Sequence, residues 1–154
     1  MKDFPKRKNL RLKDFDYSSK GCYFVTICTH NRQKLFGEIV GATLCGRPVQ
    51  MIEKWLLEVE HKFTDVKICE YVIMPDHIHF ILSKTGDHAG SPLRDIIGWF
   101  KTMTTNEYIR KVREKEYPPF NNKIWQRDYY EHIIRDESDF LEKAKYIQNN
   151  IYKK

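Results

Sequence analysis

Apolar and polar positions along this chain change period several times, and each change marks an element. Cys22–Thr29 (CYFVTICT) is an unbroken β-branched and aromatic run, which predicts a strand buried on both faces. His30–Gly46 reads as loop with a short hairpin around Phe36–Leu44, punctuated by Gly37, Gly41 and Gly46. From Pro48 to Phe63 the apolar residues Met51, Ile52, Trp55, Leu56 and Val59 recur at helical spacing. Val66–Met74 returns to a strand pattern, Pro75-Asp76 interrupts it, and His77–Ser83 predicts a third strand. After a loop at Thr85–Gly90, Ser91 and Pro92 offer an N-cap and a first helical residue for a helix reaching about Arg113. Tyr117-Pro118-Pro119 is expected to end it. Ile124–Ile134 predicts a fourth strand with room for a bulge, and Asp136–Ile151 a last helix with acidic residues in its first turn.

Strand, helix, strand, strand, helix, strand is the split βαββαβ pattern of a ferredoxin-like α+β domain. Four antiparallel strands with two helices on one face would bury the apolar stripes, and the seventh element is an added C-terminal helix. Residues 1–20 read as a basic N-terminal arm, and residues 21–154 as one domain. That division suits a chain of 154 residues. An apolar share of 41% with 14% aromatic residues supports a packed core and argues against disorder. No apolar run approaches the roughly 18 residues of a membrane span. The opening MKDFPKRKNLRLKDF lacks the apolar stretch of a secretory signal. Cys22, Cys28, Cys45 and Cys69 form no CxxC pair, so a reduced, cytoplasmic chain is expected rather than a disulfide framework or a zinc site.

Charge adds a partner class. The net charge is +6, and it is concentrated. Residues 1–20 carry seven Lys/Arg against three Asp, and residues 101–127 seven against three Glu. Basic residues interleaved with Tyr, Trp and Phe are the footprint of a polyanion, although a charge of this size also suits a solvated surface. Single-stranded nucleic acid fits, since cations track the backbone while aromatics stack on bases. The candidate phosphate contacts are Lys6, Arg7, Lys8 and Arg11 in the arm, with Arg110, Lys111, Arg113 and Arg127 further on.

Two features carry chemistry. In Met74-Pro-Asp-His77-Ile-His79, strand alternation sends both imidazoles to one sheet face, about 7 Å apart along the strand, where they can converge on one metal ion. A pair of unrelated histidines is the plainer reading of a bare HxH. In the last helix Phe140, Ala144, Ile147 and Ile151 form the core stripe. Tyr146 lies roughly 130° from its centre, and Asn150 about 40° from Tyr146. They share a helix face at i,i+4, off the core seam. Tyr129, Tyr130 and His132 read as packing, DNA-contacting or structural groups, and Trp99, Phe100 and Trp125 as core.

Four segments together resemble the single-tyrosine HUH transposases of the IS200-like class, closest to the REP-associated branch. They are Phe15-Asp-Tyr17 with Gly21–Arg32, Val72–His79, Ile124–Asp136, and Lys145-Tyr146-Ile147-Gln-Asn-Asn150. In order and spacing they span nearly the whole chain. The chain departs from the family pattern at Ile151, where proline is common. The resemblance implies an enzyme that cuts and rejoins single DNA strands through a 5′-phosphotyrosine link. It implies Tyr146 as nucleophile, His77, His79 and Asn150 as ligands of Mg²⁺ or Mn²⁺, and single-stranded or hairpin DNA as partner. It also implies nucleoid association, and either a monomer or a homodimer whose chains share the site. Two rivals stand beside it. One is a non-catalytic, domesticated DNA- or RNA-binding protein on the same fold, though the RNP aromatic signature is absent. The other is a zinc hydrolase using His77, His79 and His132.

Overall fold

The computed structural model describes residues 21–40, 43–45, 47–85 and 91–150. The expected basic arm, with Lys6, Arg7, Lys8 and Arg11, and Ile151, the expected end of the last helix, lie outside the described residues.

The strands are β1 (Gly21–Cys28), β2 (Glu38–Val40), β3 (Thr43–Cys45), β4 (Val66–Met74), β5 (His77–Lys84) and β6 (Tyr130–Ile134). The helices are α1 (Arg47–Lys62), α2 (Leu93–Arg113) and α3 (Glu137–Asn150), with a short 3-10 turn at His30–Arg32. The main sheet has the order β4-β5-β1-β6, every neighbouring pair antiparallel. This is the expected ferredoxin-like arrangement, and β2 with β3 forms the expected separate hairpin.

The unbroken apolar run of β1 has its reason in this order. β1 pairs on both edges, with β5 and β6, and both its faces are covered. Tyr23, Val25 and Ile27, with Ile78, Phe80 and Leu82 of β5, form the main core with α1 and α2. α1 contributes Met51, Ile52, Leu56 and Val59, and α2 contributes Leu93, Ile96, Ile97, Phe100 and Tyr108. The two helices are also joined through Glu107, which accepts from Lys54 Nζ and Trp55 Nε1, each at 2.7 Å. On the opposite face Phe24 and Ile81 meet Ala144 and Ile147 of α3. The added helix therefore covers the side of the sheet that α1 and α2 leave open.

Two boundaries and one stop signal differ from the sequence expectation. First, α2 begins at Leu93 with Pro92 in the capping position and no side-chain cap, not with Ser91 as cap. Second, α2 ends at Arg113 as expected, but a backbone stop ahead of the prolines ends it. Lys115 takes a left-handed backbone (φ 65°), Glu116 N donates to Lys111 O at 2.9 Å, and Lys115 N donates to Val112 O at 3.0 Å. That is a Schellman stop, with lysine where glycine is usual. Third, the fourth strand starts at Tyr130 rather than Ile124. Ile124 and Trp125 are pulled into the main core, and Trp125 makes only a single bridge to Thr29. Lys101 Nζ donates to the carbonyls of Gln126 and Arg127. The segment 124–126 thus meets the end of β1 through one bridge, with His30 N donating to Ile124 O at 2.8 Å and Gln126 N to Cys28 O at 2.9 Å, and regular pairing resumes only at Tyr130.

α3 starts as its acidic first turn suggested. Asp136 caps it, its Oδ1 accepting from Asp139 N at 2.8 Å. Among the described residues no helix is long and apolar enough to cross a membrane.

Candidate active site

Register decides what surrounds the histidine pair. On β5, His77 and His79 alternate with Ile78 and Phe80 and so point to the α3 face. Their cross-strand partners on β1 are Cys28 and Thr26. The two imidazole centroids are 4.7 Å apart at 72°. His79 is fully buried and His77 half-buried. Thr26 Oγ1 lies 2.7 Å from His79 Nδ1, and Asp76 Oδ1 lies 2.7 Å from His77 Nδ1.

The phenol ring of Tyr146 packs against His79 of this pair. Its centroid is 5.3 Å from that of His79, edge to face, and 5.9 Å from Phe24. Phe24 in turn stacks on His79 at 5.5 Å, with the rings 18° from parallel. Tyr146 is 36% exposed, in keeping with a position off the core seam. The structure thus brings Tyr146, His77 and His79 of a single chain together, although they are 67 to 69 residues apart in sequence.

Asn150 differs from expectation in one respect. It was placed beside Tyr146 and away from the stripe, but it is 7% exposed and continues the buried row Ala144, Ile147, Asn150. A row at i,i+3,i+6 drifts around the helix, and this carries the seam towards the tyrosine face. An amide on the covered side of α3, one turn beyond Tyr146, needs a polar partner there.

The donor chemistry fits a hard divalent cation. Each imidazole has Nδ1 engaged by a neighbouring side chain, the usual arrangement around a histidine ligand. Asn150 can supply a carbonyl oxygen. Among the described residues no three His, Cys, Asp or Glu side chains gather to hold a metal. His132 is not collected with the pair. It faces Asp139 on α3, with Nε2 and Oδ2 2.8 Å apart, which speaks for a structural role and against the zinc reading.

The His132–Asp139 bond fastens α3 to the edge strand β6, and Lys143 Nζ reaches the other carboxylate oxygen at 3.1 Å. The His132 hydrogen bond is the main reason the Asp139 carboxyl falls to about 2 from an ordinary 3.8. A carboxyl depressed on folding stabilises the native state above its unfolded pKa, and that contribution disappears as pH falls. Thermal melts between pH 4 and pH 2 should therefore show wild type losing more stability than Asp139→Asn. Equal losses would remove the bond from the anchoring of α3.

The remaining expected contacts divide. Arg127 is exposed and lies two residues from Trp125, which bridges to Thr29 next to the β1 residue paired with His77. It stands at the His77 end of the sheet. Arg110, Lys111 and Arg113 do not join it, because α2 packs on the other face. Arg110 and Lys111 also have carboxylate neighbours in Glu107, Glu114 and Glu116. Tyr129 belongs to the main core, whereas Tyr130 packs on the α3 side.

Two residues of this neighbourhood were not singled out for a role from sequence. Arg32 pairs through Nε with Asp76 Oδ2 at 3.3 Å, and Asp76 is the direct partner of His77. Burial works to raise the Asp76 carboxyl, but its hydrogen bonds and charge attraction to His77 and Arg32 outweigh this, so it ends below its ordinary value. An aspartate directly before the first histidine was the visible signal. Arg32, 44 residues upstream, had none.

Known proteins resemble this chain over most of its length. The family model described as Transposase IS200 like matches residues 18–150. A Haemophilus influenzae protein without a characterised function is 35% identical, over 94% of this chain and 87% of its own length. A second protein of that organism, provisionally named a REP-associated tyrosine transposase, is 30% identical over 88% of this chain and 72% of its own length. A solved REP-associated tyrosine transposase, bound to a REP hairpin, shares the fold with a TM-score of 0.63 at 20% identity, covering 97% of this chain and 72% of that one.

Proposed function

The chain belongs to the IS200-like transposase family, and on that premise we propose that it cuts and rejoins single DNA strands with Tyr146 as nucleophile. The observation that carries the reading is the packing of the Tyr146 ring against His79, at 5.3 Å, with His77 beside His79 at 4.7 Å. Contact with Phe24 gives the ring one packing reason to lie beside His79. A nucleophile that must meet a phosphate held by those imidazoles has a chemical one as well.

His77, His79 and Asn150 would hold Mg²⁺ or Mn²⁺, which when bound supplies charge stabilisation at the scissile phosphate. The chain's own residues do the rest. Tyr146 Oη gives up its proton and forms a bond to phosphorus, and the P–O3′ bond breaks. The departing 3′ oxygen gains a proton, so one strand ends as a free 3′-OH and the other as a 5′-phosphotyrosine. Attack by a 3′-OH on that link reverses the exchange, so no nucleotide energy source is needed. Phe24 and Thr26 support His79 from below, and the His132–Asp139 contact keeps α3 against the sheet. All three rings come from one chain, so the reading needs no second subunit.

Hairpin or single-stranded DNA in the nucleoid is the proposed partner. The solved relative bound to a REP hairpin supports this, as does Arg127 at the His77 end of the sheet. Arg110, Lys111 and Arg113 would touch DNA only away from the cleavage point. Residues 1–20 are proposed as a basic arm on the catalytic domain.

The test is a nicking assay on an end-labelled DNA hairpin with a single-stranded flank, in Mn²⁺. Wild type is expected to nick, and His77→Ala to lose activity by at least about a hundredfold. Retained hairpin binding with no nicking by wild type would favour the domesticated binding protein instead.

A further inference from the structure

The 3-10 turn after β1 has an unusual backbone. Asn31 and Arg32 are both left-handed, with φ of 56° and 54°. One such residue is uncommon outside glycine, and two in succession, the second an arginine, persist only where surroundings hold them. The surroundings are visible. Arg32 N donates to Thr29 O at 3.1 Å, and Thr29 Oγ1 donates to Gln33 O at 2.8 Å. The Gln33 amide then straps the turn to the 121–123 loop. Its Nε2 donates to Asn121 O and Lys123 O, and its Oε1 accepts from Asn121 N at 2.7 Å.

This backbone delivers the Arg32 guanidinium to Asp76. Asp76 is itself immobilised, because its carbonyl accepts from Thr29 N at 3.0 Å and lies 3.2 Å from Thr29 Oγ1, whose single hydrogen it shares with Gln33 O. Its carboxylate spans two cationic or donor groups, Oδ2 facing Arg32 Nε at 3.3 Å and Oδ1 facing His77 Nδ1 at 2.7 Å. Arg32 Nη2 also lies 3.3 Å from His77 Nδ1. Nδ1 cannot serve both contacts as one kind of group. Towards a carboxylate it must donate, and towards a guanidinium it must accept. The shorter, charge-assisted contact to Asp76 decides between them, so Nδ1 carries the hydrogen.

We propose that Asp76, held in turn by Arg32, is a positioning residue that fixes the His77 imidazole in the Nδ1–H tautomer, leaving the Nε2 lone pair for a divalent cation. The step to the cation rests on the reading of His77 as a ligand. The tautomer itself does not. Asp76 also limits ring rotation, because a hydrogen bond at Nδ1 sets the direction of Nε2. The left-handed turn is then the means by which the end of β1 places a cation behind that carboxylate.

The experiment uses the full chain, labelled with ¹⁵N at histidine, and long-range proton–nitrogen spectra at about pH 8, where an ordinary imidazole is neutral. Wild-type His77 is expected to show a protonated Nδ1 and an unprotonated Nε2. Asp76→Ala and Arg32→Ala are expected to shift His77 towards a tautomer mixture while the His79 signals stay in place. Calorimetric titration with Mn²⁺ alone should show affinity falling about 10- to 100-fold in Asp76→Ala, with partial recovery in Asp76→Glu. A wild-type His77 protonated at Nε2 would overturn the proposal, as would an Asp76→Ala protein with unchanged tautomer and unchanged Mn²⁺ affinity. The wild-type spectrum needs no variant, so a folding failure in Asp76→Ala leaves the test decisive. A wild type with the expected tautomer that binds no Mn²⁺ supports the positioning role and overturns the metal reading of the site.

Discussion

Tyr146→Phe is expected to abolish the covalent protein–DNA adduct while leaving the fold intact. The change removes one oxygen and keeps the ring that packs on His79 and Phe24. With the side chain 36% exposed, the stability change should stay within about 0.5 kcal/mol. Loss of a nucleophile has no such cushion, and strand cleavage should fall on the order of a thousandfold or more. A labelled hairpin incubated with Mn²⁺ and run on a denaturing gel reads the adduct directly, and a melting curve reads the fold. An undiminished adduct would pass the role to another hydroxyl, with Tyr130 the first to examine because it packs on the same side of the sheet.

Phe24→Ala should produce the second large effect, and a paired control separates its two parts. Phe24 is 5% exposed at the centre of the α3 face, under both His79 and Tyr146. Removing a buried phenylalanine ring costs about 3–5 kcal/mol through lost burial and a residual cavity. That is a large share of the roughly 5–15 kcal/mol by which domains are stable. Phe80→Ala, on the opposite face among α1 and α2 residues, should cost a similar amount. Chemical denaturation should therefore give comparable losses. Hydrogen exchange should not match, because only Phe24→Ala removes the surface on which Ala144 and Ile147 rest, so α3 amides should exchange faster in that variant alone. Equal exchange in both variants would mean that α3 is held by its polar anchors, Asp136 and the His132–Asp139 bond, more than by apolar contact.

Much of this architecture was legible because its signals are local. The apolar run Cys22–Thr29 announces a strand covered on both faces, and β1 sits between β5 and β6 with α1 and α2 on one side and α3 on the other. The stripe Met51, Ile52, Trp55, Leu56 and Val59 announces a one-sided helix, and α1 buries four of the five in the main core while Trp55 packs against it half-buried. Strand alternation likewise forces His77 and His79 to one face, whatever the rest of the chain does. Segments whose outcome depends on competition were less legible. Ile124–Ile134 carries enough β-branched and aromatic residues for one long strand, but the core captures Ile124 and Trp125, and the ladder begins only at Tyr130. α2 stops at a left-handed lysine, a backbone choice that the prolines downstream did not reveal.

By itself the sequence determined the alternation of elements, the ferredoxin-like order, the shared face of the histidine pair and the surface position of Tyr146, because each follows from spacing within a single element. Only the tertiary structure decided that α3 lies across the face bearing His77 and His79, that Thr26 meets His79, that Asn150 is covered, and that Arg32 stands behind Asp76. Those facts join residues between 44 and 69 positions apart, or else depend on how one element rotates against another. Their physical basis is cross-strand register and the burial of Ala144 and Ile147 on Phe24 and Ile81, which are properties of packed surfaces that no single element carries on its own.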